Sequence, residues 1–238
     1  KIRNRLLDAG ENIFVQSDDK CIDKCKSLKA RAEANEAFGA ELKKGKKADA
    51  QRGYEIACKE WMDVRSFGQV FAFKGSELSL GIRGPVSVQP AFSVDPIDIT
   101  SIQITKSVNS EDKEGKSSDT MGMKHRVDFG VYILKGSINV QLSEKTGFTE
   151  EDAEKIKEAI RTLFVNDSSS ARPDGSMVMH KLYWWKHNCK IGQYSSHKVH
   201  NSIEIKKKEG VRNPRKIEDY EIICHELPGL AVEEYEGL

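Results

Sequence analysis

The fold class follows from one segment, Thr146-Gly147-Phe148-Thr149-Glu150-Glu151-Asp152, and from the residues that continue it as far as Phe164. Thr149 is placed to cap a helix, with Asp152 three residues further on, in a weak version of the capping box. Acidic residues fill the first turn, where they interact favourably with the helix dipole. Apolar residues then recur at helical spacing, which predicts one amphipathic helix. They are Ala153, Ile156, Ala159, Ile160, Leu163 and Phe164.

Strand patterns flank this helix on both sides. Apolar and polar residues alternate over residues 127–142 before it and over residues 177–185 after it. A strand, a helix and a strand over residues 131–185, with an antiparallel remainder, favour an α+β fold with a ferredoxin-like sheet of the RNA-recognition-motif type. Further strands are predicted over residues 64–73, 86–92, 97–108, 202–206 and 220–224.

Helices are predicted ahead of these strands. A short basic helix over residues 1–7 ends before Gly10, and longer helices are predicted over residues 20–42 and 48–62. A basic, flexible break at residues 43–47 separates the two longer helices. The 238 residues fit one large domain or one domain with insertions.

Charge is segregated along the chain although its formal net charge is only +1. Residues 206–216 contain six basic side chains and one acidic one, whereas residues 220–238 contain five acidic side chains and no Lys or Arg. Because binding to nucleic acid depends on a local basic patch, the near-neutral total does not argue against it.

Several classes of site are not predicted. The five Cys are an odd number and widely spread, without a zinc-binding spacing, which favours reduced, buried thiols in a cytosolic protein. No apolar run is long enough to span a bilayer, and no signal peptide is recognisable. Gly-x-Gly-x-x-Gly and P-loop motifs are absent from the sequence, so we expect no nucleotide cofactor.

A cationic cluster, Lys124-His125-Arg126, lies where a charged, Ser-rich loop over residues 108–118 leads into a strand pattern. Polar loops on a rigid sheet often carry binding residues. Three neighbouring cation-capable side chains suit an anionic polymer better than a small neutral substrate. The alternative is a solvated charged surface without a ligand.

Short segments in a fixed order resemble one known family. They are Asp63-Val64-Arg65-Ser66-Phe67-Gly68, Arg83-Gly84-Pro85-Val86, Phe92-Ser93-Val94-Asp95-Pro96-Ile97, Met121-Gly122-Met123-Lys124-His125, Glu144-Lys145-Thr146-Gly147-Phe148-Thr149-Glu150-Glu151-Asp152 and Ser170-Ala171-Arg172. Together they resemble the CRISPR-associated RAMP backbone subunit of type I-C Cascade, the Csd-two/Cas-seven family. The similarity extends from residue 1 to about residue 205.

The resemblance implies one RAMP-type domain over residues 1–238, with a modified RNA-recognition-motif palm. Helical fingers are expected over residues 20–62, a β-hairpin thumb over residues 104–128 and the βαβ unit of the palm over residues 131–187. An acidic segment over residues 220–238 is either a flexible tail or a docking strip. The family begins with a strand and an Asn-Pro-Asn-Gly-Asp-Pro type loop, both of which precede residue 1, so the palm is expected to lack its first strand.

The resemblance also implies a function. Such subunits polymerise along CRISPR RNA, contact copies of themselves and other Cascade subunits, and present the guide for pairing with target DNA. We therefore expect a non-catalytic protein of the prokaryotic cytoplasm that works in antiviral defence, with no cofactor, metal or membrane.

Because the guide sequence varies, phosphate contacts are expected rather than base readout. The candidate RNA-binding residues are Lys1, Arg3, Arg5, Arg65, Arg83, Lys124, His125, Arg126 and Arg172, with Met121 and Met123 placed either to wedge against bases or to pack the thumb on the next subunit. An exposed helix face is the alternative role for the first three cations. An intramolecular salt bridge is the alternative for Arg65 and Arg83.

Two rival functions stay open. An enzyme would need His180, His187, His197 and His200 to converge with Cys189, or would use Asp119 or Asp128 to cut RNA as related type III backbones do. We interpret both aspartates as structural. A stand-alone single-stranded RNA-binding module would keep the basic patches but would not self-assemble.

Overall fold

The structure is a computed structural model that describes residues 1–108 and 121–238. Its helices are α1 (Ile2–Asp8), α2 (Leu28–Ala34), α3 (Glu36–Leu42), α4 (Ala50–Glu60), α5 (Met62–Phe67), α6 (Val140–Thr146), α7 (Glu150–Arg161) and α8 (Ser196–His200). Its strands are β1 (Gly68–Ala72), β2 (Ser79–Arg83), β3 (Val86–Val88), β4 (Phe92–Ser93), β5 (Ile99–Thr105), β6 (Met121–Val127), β7 (Tyr132–Ile133), β8 (Gly136–Ile138), β9 (Lys181–Trp185), β10 (Ile203–Lys207), β11 (Tyr220–Cys224) and β12 (Val232–Glu236).

The α+β class predicted from the sequence is confirmed. The described strands form antiparallel pairs, which are β1 with β2, β3 with β8, β4 with β7, β5 with β6, β9 with β12 and β10 with β11. Strand β8 precedes α6 and α7, and β9 follows them. These two strands do not pair with each other, because β8 pairs with β3 and β9 pairs with β12.

The chain divides into two compact units. The first unit contains Lys1–Val88, Gly136–Ser196 and Glu226–Leu238, and the second contains Gln89–Lys135 and His197–His225. Both hydrophobic clusters of buried residues identified in the described chain belong to the first unit. The candidate cations are divided between the units, so each group is described within its own unit.

One cluster of the first unit is aromatic. Phe14, Phe38 and Phe71 have no exposed surface and pack with Trp61. The Phe14 and Trp61 ring centroids are 4.7 Å apart, and those of Phe38 and Phe71 are 4.8 Å apart, both with tilted planes. Such tilted pairs add to the free energy gained from burying apolar surface. This cluster joins α2, α3 and α4 to the β1–β2 pair.

The other cluster of the first unit positions α1. Leu6 and Leu7 of α1 are buried with Met62 of α5 and with Ile156 of α7. Because one side of α1 is packed in this way, its cations lie near α5 and near the residues that follow α7. The short basic helix predicted at residues 1–7 is thereby confirmed, shifted by one residue.

The prediction of one helix over residues 20–42 was wrong. The region contains a 3-10 turn at Asp18–Lys20 and two separate helices, α2 and α3. Asn35 has an extended backbone, and its side chain accepts a hydrogen bond from the Phe38 nitrogen at 2.9 Å. This N-cap starts a new helix, because a side chain that bonds the local backbone competes with helix continuation.

Two predicted strands were wrong in their extent, because each region contains shorter strands and part of a helix. Residues 64–73 contain the end of α5 and then β1, with Gly68 at φ +80 ending the helix. Residues 127–142 contain the end of β6, then β7 and β8, and then the start of α6. Asn139 caps α6 by accepting from the Leu142 nitrogen at 2.9 Å. The apolar runs resembled strands because short buried helices and strands share such patterns.

The helix from which the fold class was inferred is confirmed as α7. Thr149 accepts from the Asp152 nitrogen at 3.2 Å, and Asp152 accepts from the Thr149 nitrogen at 3.0 Å, which completes the capping box. The strand predicted over residues 177–185 is shorter, at Lys181–Trp185.

The acidic C-terminal segment is not a flexible tail. It contains β11 and β12, and β12 pairs with β9 from Val232↔Trp185 to Glu236↔Lys181. Lys157 of α7 also contacts this strand, with its ammonium group 2.9 Å from Glu233 and 3.3 Å from the Tyr235 hydroxyl. None of the helices in the described ranges is long and apolar enough to cross a membrane.

Candidate nucleic-acid interface

The antiparallel pair β5–β6 of the second unit carries the cluster that the sequence singled out. Its register runs from Ile99↔Val127 to Thr105↔Met121. Every residue of β6 is exposed. The predicted thumb, residues 104–128, contains β6 and the end of β5, whereas residues 109–120, which include Asp119, lie outside the described residues.

The cluster is divided between the two faces of this pair, because successive side chains of a strand point to opposite sides. Lys124 pairs with Ile102, and Arg126 pairs with Thr100, so these four residues share what we call the cationic face. The opposite face carries His125 together with other residues of both strands. They are Ile99, Ser101, Gln103, Thr105, Met121, Met123 and Val127.

The carboxylate of Asp128 accepts hydrogen bonds from two residues of the cationic face. Asp128 accepts from Thr100 Oγ1 at 2.8 Å and from Arg126 Nε at 2.7 Å. The hydrogen bond from Thr100, followed by that from Arg126, lowers the pKa of Asp128 below its usual value. The Lys124 side chain makes no hydrogen bond or ion pair with the residues that the structure describes. Its ammonium group is therefore available to an anionic ligand.

The opposite face combines four apolar residues, Ile99, Met121, Met123 and Val127, with polar ones. Met121 and Met123 are 64% and 56% exposed, respectively. His125 Nδ1 lies 2.8 Å from the Ser101 hydroxyl, its cross-strand partner. The predicted Lys-His-Arg cluster is thus two surfaces, one that suits phosphate and one that suits an apolar partner.

In the first unit, Lys1 and Arg172 come together at one carboxylate. Lys1 forms an ion pair with Asp167, and Arg172 Nη2 lies 4.0 Å from the same carboxylate. The Lys1 ammonium group also lies 5.9 Å from the centre of the Phe164 ring. The hydrogen bond from Lys1 lowers the pKa of Asp167. The sequence proposed the two cations separately, and the structure makes them neighbours.

Arg3 and Arg5 are engaged by other parts of the first unit. Arg3 Nε donates to Asp63 at 2.9 Å, and its guanidinium lies 5.0 Å from the Phe67 ring. Asp63 itself is fully buried and accepts from the backbone nitrogens of residues 14 and 15 at 2.7 and 3.0 Å. Arg5 Nε donates to Thr162 Oγ1 at 3.2 Å. These cations therefore stabilise the packing of α1.

Arg65 lies within α5, not at a strand start as predicted. Its guanidinium donates two hydrogen bonds to Asp152, at 2.9 and 2.7 Å, and the Asp152 side chain is only 4% exposed. The geometry is the bidentate arrangement that arginine forms with a carboxylate. The structure thus favours the alternative role, an intramolecular salt bridge, and a phosphate contact for Arg65 stays a prediction.

Arg83 has a different environment, because its side chain is exposed and makes no ion pair within the described chain. It pairs with Gly68 at the end of β1–β2. A Cβ on Gly84 would collide with the Ser66 carbonyl oxygen and the Gly68 nitrogen, so only glycine allows this close backbone approach. This close approach of two backbone segments fixes the position of the backbone at Arg83, whose side chain is exposed to solvent.

The family model described as CRISPR-associated protein Cas7 matches residues 1–225. The chain belongs to the Cas7 family. The search of curated proteins found no match to this chain. Membership in this family supports a CRISPR-associated, RNA-binding role in a Cascade-like complex, whereas the type I-C subtype is a finer assignment.

Two of the histidines that an enzyme would need have local partners in this Cas7 chain. His187 Nδ1 accepts from the Gln193 nitrogen at 3.0 Å, and His197 Nε2 lies 3.0 Å from Asn201 Nδ2. Within residues 1–108 and 121–238, no group of three or more His, Cys, Asp or Glu side chains is arranged to hold a metal ion.

Sequence reasoning missed some members of the candidate surfaces of this Cas7 chain. Thr100 and Ile102 flank the cations of β6, and period-two alternation applied to residues 97–108 and 121–127 would have revealed this face. The exposed lysines around Gly45, which are Lys43, Lys44, Lys46 and Lys47, had been interpreted only as a flexible break. Beneath them, the buried Glu41 accepts from Lys44 and from the Asp49 nitrogen, both at 2.6 Å.

Proposed function

We propose that this Cas7-family chain is a non-catalytic CRISPR RNA-binding backbone subunit of a type I-C Cascade complex in the prokaryotic cytoplasm. It polymerises along the guide RNA, presents the guide for pairing with target DNA and docks on other Cascade subunits. The observation that carries the proposal is the exposed cationic face of β5–β6 in a chain whose family match covers residues 1–225.

The chemistry of this face suits a guide of variable sequence. Lys124 has no described partner, and Arg126 shares Asp128 with Thr100, so both retain capacity for phosphate oxygens. Contacts from Lys and Arg to phosphate fix the position of a nucleic acid without reading its bases. Sequence specificity then belongs to base pairing by the guide, as in other RNA-guided systems.

The opposite face supports self-assembly. Met121, Met123 and Ile99 expose more than half of their side-chain surface on one side of a two-stranded pair. Exposed apolar surface of this kind marks a contact site when it is contiguous. A neighbouring copy of the chain is the occupant that a filament on RNA would supply.

The non-catalytic part of the proposal rests on how Asp128 is held. Its carboxylate accepts from both Thr100 and Arg126, which engages its oxygens in hydrogen bonds within the same pair of strands. These hydrogen bonds lower the pKa of Asp128 and make its carboxylate a weaker base, whereas an efficient general base has a pKa near the operating pH. Asp128 thus serves to orient Arg126.

The test is to mix the chain with single-stranded RNAs of unrelated sequence and increasing length, at several salt concentrations, and to measure particle mass. We expect salt-sensitive, sequence-blind binding, with mass rising in steps of one subunit as the RNA lengthens. Binding of a single copy at every length would favour a stand-alone RNA-binding module. Shortened RNA after incubation would favour a RAMP endoribonuclease.

The subtype requires its own test. Co-expression with the remaining subunits of a type I-C complex should yield one particle that contains guide RNA and several copies of this chain. Assembly only with the subunits of another type I complex would overturn the subtype while leaving the RNA-binding role intact.

A further inference from the structure

Cys21 and Cys25 lie in the loop that leads into α2, and an arginine of that helix holds the loop in place. Arg31 is only 7% exposed. Its guanidinium donates to Asp23 at 2.6 and 2.9 Å, to the Phe14 carbonyl oxygen at 2.8 Å and to the Cys25 carbonyl oxygen at 3.2 Å. These hydrogen bonds hold the loop against the rest of the first unit, so the two thiols have defined surroundings.

The two thiols differ in these surroundings. The exposed Cys21 sulfur lies 3.3 Å from Arg31 Nη2, and the Asp23 Oδ1 atom 3.5 Å away is itself neutralised by Arg31. Partial burial, followed by the charge of Asp23, raises the pKa of the Cys25 thiol. Oxidants in solution reach an exposed sulfur more readily than a partly buried one. Cys21 is the more exposed thiol of the pair, and its sulfur contacts the Arg31 guanidinium.

The backbone brings the two residues close together. The Cys21 sulfur lies 3.3 Å from the Asp23 carbonyl oxygen and 3.8 Å from the Cys25 carbonyl oxygen. A bend at residues 23 and 24 thus folds the Cys21 side chain back over Cys25. The Cys21 sulfur thus lies against the backbone of Cys25, the residue with which a disulfide would join it.

We propose that Cys21 and Cys25 form a redox-active pair that hydrogen peroxide converts into a disulfide. The Cys21 thiolate attacks a peroxide oxygen, the O–O bond breaks, hydroxide leaves and Cys21 becomes a sulfenic acid. The Cys25 sulfur then attacks the Cys21 sulfur, the S–O bond breaks, and the hydroxyl group leaves as water with the Cys25 proton. The two thiols lose two electrons in total, and the peroxide gains them.

The oxidised loop keeps most of its anchoring. Disulfide formation draws the Cys21 sulfur away from Arg31, but the hydrogen bonds from Arg31 to Phe14 and Asp23 do not involve a sulfur atom. The first unit should therefore remain folded in both redox states, and the modification can be followed on the intact protein.

The experiment treats the full chain with increasing hydrogen peroxide, blocks the remaining thiols with an alkylating reagent and maps peptides by mass spectrometry. We expect a loss of two mass units in the peptide that contains Cys21 and Cys25, reversed by dithiothreitol. Cys189 is the internal control, because it is exposed and its sulfur makes no contact with a cation in the described chain. It should stay alkylated at peroxide doses that oxidise the pair.

Two variants make the order of events testable. In Cys25→Ser the sulfenic acid at Cys21 has no resolving thiol, so dimedone should label Cys21 at least several-fold more than in the parent chain. In Cys21→Ser, Cys25 should remain reduced at the same peroxide dose. Oxidation of Cys189 at the rate of Cys21, a disulfide that joins two chains, or separate alkylation of both thiols after treatment would each overturn the proposal.

Discussion

Arg65 in the first unit and Arg126 in β6 each form an ion pair with a carboxylate. The two ion pairs differ in how much they stabilise the fold. The closest Arg65–Asp152 distance and the Arg126–Asp128 distance are both 2.7 Å. Asp152 is 4% exposed at its side chain, whereas Asp128 is 36% exposed and Arg126 is 56% exposed. Removing one member of a buried pair leaves an uncompensated charge, whereas water screens an exposed pair. Arg65 therefore stabilises the fold of the first unit, whereas the cations of β6 remain available for a ligand.

Asp152→Ala tests most directly whether the buried pair stabilises the fold more than the exposed pair does. The substitution strands the half-buried Arg65 guanidinium and also removes the acceptor for the Thr149 nitrogen. We expect a loss of about 3–5 kcal/mol in the free energy of unfolding, measured by urea denaturation. Asp128→Ala is the matched control and should leave the free energy of unfolding nearly unchanged, because water screens the exposed pair. Equal losses in the two variants would remove the distinction between the regions.

A second variant examines how the C-terminal acidic segment is attached. Lys157 is 6% exposed and lies 2.7 Å from Glu154 and 2.9 Å from Glu233 of β12. Its ammonium group also lies 5.5 Å from the Trp184 ring. Lys157→Met keeps the length of the chain but loses the charge, so we expect a loss of about 2 kcal/mol, since both glutamates can still be solvated.

The measurement for Lys157→Met is hydrogen exchange of the β12 amides together with urea denaturation. Exchange in β12 should accelerate more than exchange in β10–β11, which belong to the second unit. Lys155→Met is the control, because the partners of Lys155 are Glu11 and Glu151 rather than residues of β12. Unchanged protection of β12 would show that strand pairing with β9 holds the segment without Lys157.

The third prediction concerns RNA and the cationic face. Lys124→Ala combined with Arg126→Ala should weaken binding similarly for all RNA sequences. The slope of log affinity against log salt should decrease by about 1.4, since each phosphate contact to a single strand contributes about 0.7. Lys59→Ala combined with Lys145→Ala removes the same charge from exposed positions of the first unit. An equal change of slope in that control would mean that net charge, not this face, governs binding.

Local signals explain which elements could be predicted from the sequence. The capping box and apolar stripe of α7 lie within residues 149–164, so no distant contact was needed to define the helix. The basic helix α1 and strand β11 were predicted for the same reason. The breaks at Asn35 and Asn139 also have local causes, and the N-cap preference of Asn would have found them.

Distant partners explain what could not be predicted. Whether Arg65 meets phosphate or carboxylate depends on Asp152, which is 87 residues away. The pairing of β9 with β12 joins strands that are far apart in the sequence, and alternation defines a strand without naming its partner. The candidate cations could thus be found by residue type, but their roles required the fold. Only the face shared by Lys124 and Arg126 was available from alternation alone.

The smallest effect that we expect is an acid-dependent loss of stability. Burial pushes the pKa of Asp152 upward, but the hydrogen bonds from Arg65 and Thr149 outweigh burial and hold that pKa below its usual value. A carboxyl group with a lowered folded-state pKa contributes stability above its unfolded pKa of about 3.9. That contribution is lost as the pH falls through the folded-state pKa, so the melting temperature should decrease below about pH 4.

Asp152→Asn isolates the contribution of this one carboxylate. The variant starts from a lower melting temperature at neutral pH, because the amide carries no charge for Arg65 to neutralise. Its melting temperature should then fall less steeply than that of the parent chain between about pH 4 and pH 2, since position 152 no longer titrates. Asp128→Asn, on the exposed face, should retain nearly the parent slope, because solvent screening weakens the link between its titration and folding. Parallel pH profiles for Asp152→Asn and the parent would mean that the Arg65–Asp152 pair contributes no more to folding than a surface contact does.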